Sequence, residues 1–335
     1  MTSEDRVNAF YQLGHHLRHL DEANRHSLLN EPRQFNAWFT PEQVNLALAN
    51  VSGQLQREKL NAWLGRYDIK GQKGLKVGVV MAGNVPLVGF HDLMSVLISG
   101  HKLIAKPSSQ DLFLIQYMIT ELIRIEPRLR DQIEPRDRLN DMDAVIATGS
   151  DNTARYFEYY FRNIPRVIRR NRSSCAVLNG SESQQDLEQL GMDIFSFYGL
   201  GCRNVSKVFV PENYDVTQLF KHWKAYWDVI HHHKYANNYD YNKSILLVNG
   251  TPFFEGESIL VTESKELVSP ISVLFYERYA TESALQQRIK DSESKIQCIV
   301  GSMPGISTVP FGKAQYPGLD DYADGVDTME FLTRL

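Results

Sequence analysis

Three cysteines occur in this chain, and one of them stands in a setting that favours chemistry. Cys175 and Cys298 lie inside apolar runs, where a cysteine is usually a small hydrophobic member of the core. Cys202 instead follows Gly199-Leu200-Gly201 and precedes Arg203. Glycines allow close backbone approach and an adjacent cation favours the thiolate, so Cys202 is a candidate nucleophile. An unreactive loop cysteine is the alternative interpretation.

A second candidate for catalysis lies in the turn Gly83-Asn84-Val85-Pro86, which joins an apolar run to a helical pattern. The turn lacks the G-x-G-x-x-G spacing of the common dinucleotide-binding fingerprint. Two uses stay open for the Asn84 side-chain amide: donation to a developing oxyanion, or capping of the helix that follows. Lys106-Pro107-Ser108 ends the next apolar run, where a lysine suits a ribose or a phosphate.

Two further clusters are interpreted as structural. Three consecutive histidines, 231–233, have no acid or cysteine at a metal-ligand spacing, and they predict a solvated helix end rather than a metal site. The aromatic residues of 157–161 and 223–227 are expected to lie in the core, with the lining of an acyl pocket as the alternative.

Apolar periodicity predicts an α/β scaffold for these candidates. An apolar run over 75–81, a helical pattern from Leu87 that ends at Gly100, and a second apolar run over 103–105 form a βαβ unit. Such a unit implies a parallel sheet with a ligand crevice at the carboxyl ends of its strands.

The rest of the chain continues the same patterns. The first 70 residues are expected to be helical, with an amphipathic stripe from Val7 to Leu20 and a second helix that opens at Thr40-Pro41. Further helices are predicted over 111–125, 184–190, 216–230 and 282–290, and further strands over 143–147, 176–178, 207–210, 245–248, 271–275 and 296–300. The polar stretch 179–185 is the predicted boundary between two domains.

Composition excludes several classes of protein. The 335 residues are 43% hydrophobic and 23% charged, which excludes a disordered chain, and the net charge of -4 argues against a nucleic-acid surface. No run approaches the ~18 apolar residues of a membrane span, and the N-terminus lacks the apolar core of a signal peptide. Three scattered cysteines do not form a disulfide framework, so a reducing cytoplasm is the expected setting.

Six short segments, taken in order, resemble the aldehyde dehydrogenase superfamily. They are Asn84-Val85-Pro86, Lys106-Pro107-Ser108, Thr148-Gly149-Ser150, Cys202, Glu266-Leu267-Val268-Ser269-Pro270 and Pro310-Phe311-Gly312, within residues 75–315. Three phrases, over 80–86, 202–211 and 323–328, are similar to the bacterial fatty acyl-CoA reductases of the luminescence-type fatty acid reductase complex (the LuxC type).

This resemblance implies an aldehyde-dehydrogenase-like α/β fold. A Rossmann-type cofactor-binding domain would be joined by a smaller α/β catalytic domain that bears the nucleophilic cysteine. The helical N-terminus and the NAD(P)-binding domain are expected in residues 1–180, and the catalytic domain in residues 181–315. A C-terminal tail, 316–335, is expected to pack back on the body.

The resemblance also implies an activity, which is NADPH-dependent reduction of a long-chain fatty acyl-CoA or another acyl thioester to the aldehyde, with NADH as the alternative cofactor. Cys202 would form the acyl-enzyme, and Asn84 would hold the oxyanion together with the Cys202 backbone N–H. The expected cofactor contacts are Lys106, Ser108, Gly149, Ser150 and Glu266, and no metal is expected. A homo-oligomer, or a complex with an acyl-activating or acyl-transferring protein, is left open.

One departure from the superfamily pattern bears on the reaction. Oxidising members carry a glutamate base about thirty residues before the cysteine, whereas residues 168–173 contain no carboxylate. Without that base the acyl-enzyme should resist hydrolysis long enough to be exchanged or reduced. The arginines of this stretch would meet an anionic cofactor phosphate or form a solvated basic edge. The alternatives are an aldehyde or semialdehyde dehydrogenase, an acyl-phosphate reductase, and a non-catalytic binding subunit of a larger complex.

Overall fold

The computed structural model describes residues 1–69 and 74–335, which form the predicted α/β fold. The helices are α1 (Ser3–Arg18), α2 (Glu22–Asn30), α3 (Pro41–Gln54), α4 (Arg57–Leu64), α5 (Phe90–Ser99), α6 (Leu112–Ile125), α7 (Asp151–Tyr160), α8 (Gln184–Phe195), α9 (His233–Val248), α10 (Glu282–Lys290) and α11 (Thr328–Thr333). The strands are β1 (Lys76–Val80), β2 (Lys102–Lys106), β3 (Ile133–Pro135), β4 (Ala144–Thr148), β5 (Arg166–Arg169), β6 (Ser173–Val177), β7 (Val205–Pro211), β8 (Phe253–Glu255), β9 (Leu260–Glu263), β10 (Val273–Tyr279) and β11 (Ile296–Val300).

The chain divides into two compact units. Unit 1 comprises Met1–Asn171 and Gly318–Leu335, and unit 2 comprises Arg172–Pro317. The chain therefore changes unit at 171/172, before the boundary expected at 180/181. The reason is that β6 pairs with β7 and β11, both in unit 2, so this strand belongs to the second unit.

Unit 1 is built on a five-stranded sheet of order β3-β2-β1-β4-β5, in which each neighbouring pair is parallel. The central strands are apolar and buried, as expected for a sheet covered on both faces. Helix α5 connects β1 to β2 and ends at Gly100, whose φ of 101° suits glycine. The predicted βαβ unit is thus confirmed, and the carboxyl ends of β2, β1 and β4 lie side by side.

The amphipathic stripe predicted for the N-terminus is confirmed by α1, which buries Val7, Phe10, Leu13 and Leu17. These side chains join the core of unit 1, together with residues of the C-terminal segment such as Met329 and Leu332. Helix α3 begins at Pro41, as predicted, and α4 follows it after a short break. Helix α2 has a single buried residue, Leu28, which explains why no apolar stripe indicates it.

Unit 2 is built on a six-stranded sheet of order β11-β6-β7-β10-β9-β8. Only the pairing of β8 with β9 is antiparallel among its described neighbours. Strands β7 and β10 are the longest and lie side by side near the centre of the sheet. This strand pair sets the positions of the loops at both of its ends.

One predicted strand of unit 2 is wrong, and one predicted helix has a different form. The apolar run 245–248 is the last turn of α9, not a strand, and Val248 is 85% exposed. Four apolar residues fit either element, and the buried residues Tyr235, Tyr239 and Asn242 show the helical spacing that decides it. The predicted α-helix over 216–230 consists of two 3-10 segments, Val216–His222 and Lys224–His231.

The aromatic and histidine clusters also depart from expectation. Tyr159 and Tyr160 are more than 60% exposed on α7, so this cluster is not core, whereas Trp223 is fully buried as predicted. The three histidines lie where the second 3-10 segment ends and α9 begins, and His232 is buried rather than solvated. Its ring packs 4.6 Å from the ring of Tyr198, because the loop before Cys202 passes over it.

Candidate active site

The loop that carries Cys202 has an unusual backbone in unit 2. Between α8 and β7, three consecutive residues, Phe197, Tyr198 and Gly199, have φ values of 50°, 56° and 77°. The left-handed conformation is unfavourable for the two aromatic residues, so surrounding contacts must hold it. Cys202 follows in a turn, half-buried, three residues before β7.

Asn204 holds this loop from inside. Its Oδ1 accepts a hydrogen bond from the Gly201 N–H at 2.8 Å, and its Nδ2 donates to the Ser196 carbonyl at 2.7 Å. Ser174 on β6 donates its Oγ proton to the Cys202 carbonyl at 3.0 Å. The main chain is therefore fixed on both sides of the thiol. Sequence reasoning misses Asn204 and Ser174, although an asparagine two residues after a glycine-flanked cysteine is a usable signal.

Asp193 connects α8 to the Pro310-Phe311-Gly312 segment. Its fully buried carboxylate accepts the Gly312 N–H at 2.7 Å and the Ala314 N–H at 2.9 Å. Arg203 Nε donates to the Ala314 carbonyl at 2.5 Å, which ties the same segment to the residue after Cys202. Burial raises the pKa of Asp193 to about 6, because its effect is larger than the lowering of the pKa by the two N–H donors.

The other two cysteines are core residues, as predicted. Cys175 and Cys298 are buried in β6 and β11. Burial raises the pKa of Cys175 to about 12, so its thiol is protonated at neutral pH. Cys298 Sγ lies 3.1 Å from Ser174 Oγ, and Ser174 also contacts the Cys202 carbonyl.

Asn84 is exposed in unit 1, in the turn that follows β1. Helix α5 begins at Phe90 with Gly89 as its N-cap, and that cap makes no side-chain hydrogen bond. Asn84 lies five residues before Gly89, so the interpretation as a helix cap is wrong. The helix begins later than the predicted Leu87 because Leu87 has a φ of 59° and belongs to the turn.

Two buried polar side chains hold the Asn84 turn. Asn36 donates its Nδ2 proton to the Gly83 carbonyl at 3.2 Å, and Asp111 Oδ2 accepts the Leu87 N–H at 2.8 Å. Burial raises the pKa of Asp111 well above its usual range. These contacts fix the backbone on both sides of Asn84. The sequence signals for them are weak, because Asn36 and Asp111 are distant in the chain from the turn they hold.

Four of the five residues expected to hold a cofactor lie at the carboxyl ends of β2 and β4, the two strands that flank β1. Lys106 ends β2, and its Nζ donates to the Asp137 carbonyl at 2.6 Å. A Cβ on Gly83 would lie 2.4 Å from Ser108 Oγ, so only glycine permits this close approach of two loops. Ser150 caps α7, accepting the Thr153 N–H at 3.3 Å.

A helix N-terminus and a lysine at the carboxyl edge of a parallel sheet suit the phosphates and riboses of a dinucleotide. Gly149 lies directly before this helix N-terminus, and the Cβ of an alanine there would lie 3.0 Å from the Thr153 side chain. The chemistry of Lys106, Ser108, Gly149 and Ser150 therefore fits a nicotinamide dinucleotide. Glu266 lies in unit 2, exposed in the loop between β9 and β10.

One arginine of the stretch at the end of β5 differs from both interpretations given for it. Arg169 is buried, where it pairs with Asp92 of α5 at 2.5 Å and donates to Thr328 Oγ1 at 2.7 Å. It is therefore neither a solvated edge nor a surface cation. Arg170 is exposed and pairs with Glu158. Residues 168–173, which contain no carboxylate, thus include one buried ion-pair partner and one exposed one.

Two further observations concern metals and membranes. Among the residues that the structure describes, no group of three or more histidine, cysteine, aspartate or glutamate side chains is arranged to hold a metal ion. Within 1–69 and 74–335, no helix combines the length and the apolarity needed to cross a bilayer.

Solved structures identify the fold. Aldehyde dehydrogenase 21 from Physcomitrella patens, in complex with the product succinate, is similar with a TM-score of 0.69 and 12% identity, over 100% of this chain and 84% of that chain. The NAD+ complex of an aldehyde dehydrogenase from Bacillus cereus is similar with a TM-score of 0.64 and 14% identity, over 91% and 73%. This chain has the aldehyde dehydrogenase fold.

The family follows from the sequence. Residues 13–222 match the acyl-CoA reductase (LuxC) family, and the chain belongs to it. The long-chain acyl-protein thioester reductase of Aliivibrio fischeri is 25% identical over 224 residues, which are 60% of this chain and 46% of that protein. The chain thus spans about half the length of the curated relative that it matches.

Proposed function

We propose that this protein reduces a fatty acyl thioester to the aldehyde through an acyl-cysteine formed on Cys202. The observation that carries the proposal is the Cys202 loop, in which a half-buried thiol follows three left-handed residues, 197–199, on a backbone that Asn204 and Ser174 hold by hydrogen bonds. A scaffold protein has no need of such a loop. Membership of the acyl-CoA reductase family supports the same chemistry.

In this proposal the Cys202 thiolate attacks the acyl carbonyl carbon. A bond forms between Sγ and that carbon, and the carbonyl oxygen becomes an oxyanion. The Asn84 amide and the Cys202 backbone N–H donate hydrogen bonds to it. Collapse of the tetrahedral species breaks the bond to the departing thiol, which leaves as a thiolate and takes up a proton. Acyl-Cys202 is the product of this half-reaction.

The second half-reaction requires a nicotinamide cofactor. NADPH, when bound, supplies the hydride that converts acyl-Cys202 to the aldehyde and releases the thiolate. Lys106 would hold the adenosine ribose or its phosphate, and Glu266 would hold the nicotinamide ribose hydroxyls. Ser108, Gly149 and Ser150 would contact the remainder of the dinucleotide. We propose unit 1 as the cofactor-binding unit and unit 2 as the catalytic unit.

Reduction is favoured over hydrolysis because residues 168–173 supply no base. Ile168 would align with the base of an oxidising relative, and the next residue, Arg169, pairs with Asp92. An acyl thioester on CoA and one on an acyl-transferring protein present the same carbonyl to Cys202. The family takes its name from the first of these substrates, and the Aliivibrio fischeri relative takes its name from the second.

The experiment uses radioactive acyl groups on CoA and, separately, on a carrier protein. Wild-type protein should be labelled covalently, and NADPH should convert the label to aldehyde faster than NADH does. Cys202→Ala should neither take up label nor form aldehyde, whereas Cys175→Ala and Cys298→Ala should do both, at a stability loss of ~1 to 2 kcal/mol. Labelling that persists in Cys202→Ala would overturn the assignment of the nucleophile.

A further inference from the structure

The loop that carries Glu266 is held by its backbone carbonyls. Lys207, fully buried on β7, donates from Nζ to the Ser264 carbonyl at 2.8 Å and to the Glu266 carbonyl at 3.1 Å. The Glu266 N–H donates in turn to Ser264 Oγ at 3.1 Å. A buried ammonium group therefore fixes the main chain of Glu266 while its side chain stays exposed.

The other two carbonyls of the loop have donors as well. Arg288 on α10 donates from Nη2 to the Lys265 carbonyl at 2.6 Å. Ser206 on β7 donates from Oγ to the Leu267 carbonyl at 2.7 Å. All four consecutive carbonyls of residues 264–267 thus accept a hydrogen bond from a side chain outside the loop. Four consecutive residues of a surface loop do not need this many external donors merely to help connect β9 to β10.

Glu277 on β10 completes the array. Its carboxylate accepts the third hydrogen bond of the Lys207 ammonium group and also pairs with Arg288 Nε at 3.0 Å. An ammonium group has three donors, and the two carbonyls and this carboxylate use all of them. Burial lowers the pKa of Lys207, and the charge of Glu277 opposes that effect.

A buried ion pair of this kind is weak evidence for stability. Apolar side chains of similar volume often replace such a pair with no loss of folding free energy, because the charges no longer have to be removed from water. What the apolar replacement lacks is the set of N–H donors. The loop carbonyls would then have to find other partners, and the loop conformation would change.

We propose that Lys207, supported by Glu277 and Arg288, is a positioning residue that fixes the 264–267 loop so that the Glu266 carboxylate is held ready for the nicotinamide ribose hydroxyls. The ribose as ligand rests on the function proposed above; the fixing of the loop does not. Lys207 lies on the strand that follows Cys202, so one strand supports the proposed nucleophile at its beginning and the proposed ribose contact through its side chain.

The first test concerns the loop alone. Hydrogen exchange of the full chain should show faster exchange of the amides of residues 264–268 in Lys207→Met than in wild type. Lys243→Met is the matched control, since it breaks a lysine–glutamate pair with Glu255 that does not contact this loop. Faster exchange confined to the loop supports the inference, and unchanged exchange in Lys207→Met overturns it.

The second test measures NADPH affinity by equilibrium titration, with acyl labelling of Cys202 as a separate readout. We expect Glu266→Gln and Lys207→Met each to weaken NADPH binding about tenfold, whereas the control Lys243→Met should change neither NADPH affinity nor acyl labelling. The double variant Lys207→Met/Glu277→Leu removes both charges of the pair. It should recover the thermal midpoint lost in Lys207→Met without recovering the NADPH affinity, which separates positioning from stability.

The contrary outcomes are distinguishable. If Glu266→Gln weakens NADPH binding and Lys207→Met does not, the positioning role is overturned and the proposed ribose contact stands. If loop exchange rises in Lys207→Met but neither variant changes NADPH affinity, the ribose contact proposed for Glu266 is overturned, and with it the purpose assigned to the array. An affinity restored together with stability in the double variant would show that Lys207 acts on stability alone.

Discussion

The guanidinium group of Arg169 lies 2.5 Å from the carboxylate of Asp92, and both side chains are buried in unit 1. Arg169 also donates to Thr328 Oγ1, which joins the end of β5 to the C-terminal segment. The segment that resembles the superfamily's base position is thus part of the framework. In this segment Arg169 supplies a structural contact, and residues 168–173 contain no carboxylate.

The buried Arg169–Asp92 pair should matter more to the free energy of unfolding than the exposed pair beside it. Arg169→Leu leaves the Asp92 carboxylate buried without its cation, so the free energy of unfolding should fall by ~3 to 5 kcal/mol. Arg170→Leu is the control, because it breaks an exposed pair with Glu158 and should cost at most ~1 kcal/mol. Urea denaturation measures both. Equal losses in the two variants would contradict the assigned role of Arg169.

Asn84 should act on the transition state. Because the helix cap is Gly89, Asn84→Ala should leave the N-terminus of α5 in place and the protein folded. Turnover should fall about a hundredfold, the scale of losing one oxyanion donor, with NADPH affinity preserved. Steady-state kinetics with acyl-CoA, beside a thermal melt, test both statements. A folded variant with wild-type turnover would remove Asn84 from the mechanism.

Asp193 should make folding stability depend on pH. Its pKa is raised from 3.8 to about 6, so the neutral carboxyl is favoured in the fold. This shift adds to the free energy of unfolding at a pH below 3.8, the pKa of the unfolded state, and the added stability is lost as pH rises through about 6. The loss amounts to about 3 kcal/mol. The measurement is the free energy of unfolding of wild type and Asp193→Asn between pH 4 and 7. A difference between the two that does not vary with pH would contradict the prediction.

Long apolar patterns explain why much of the fold is predictable from the sequence. Helix α6 and strand β1 each bury a regular apolar pattern, and both are predicted within one or two residues of their ends. Strand β5 has only Val167 and Ile168 between arginines, so it gives no apolar signal. The run 245–248 is predicted as the wrong element because four residues are too few to show a period.

The candidate site is predictable only in part, for a different reason. Cys202 and Asn84 can be chosen by residue type and turn setting. Asp193 and Lys207 cannot, because the groups they hold are far away in the chain. Asp193 accepts from Gly312, 119 residues later, and Lys207 donates to a loop 57 residues later. Such contacts exist only once the sheet has formed.

A base introduced at the end of β5 should change the fate of the acyl-enzyme. Ile168 is half-buried, so a glutamate there is tolerable, and Ile168→Gln is the uncharged control of the same size. Ile168→Glu should release free fatty acid from acyl-Cys202 faster than wild type, about a hundredfold if the carboxylate reaches water at the thioester. The assay is release of radioactive acid after a single acylation. Equal rates in the Glu and Gln variants would show that this position does not serve the acyl group.

The most direct test of the proposed reaction is a chase of the acyl-enzyme. Wild-type protein, labelled with radioactive acyl-CoA and freed of excess substrate, is divided into portions with and without NADPH, and the released products are separated over time. We expect rapid loss of label to fatty aldehyde with NADPH, and a label that persists on Cys202 without it. Release of free fatty acid without NADPH as fast as aldehyde with it would contradict reduction through a stable acyl-cysteine.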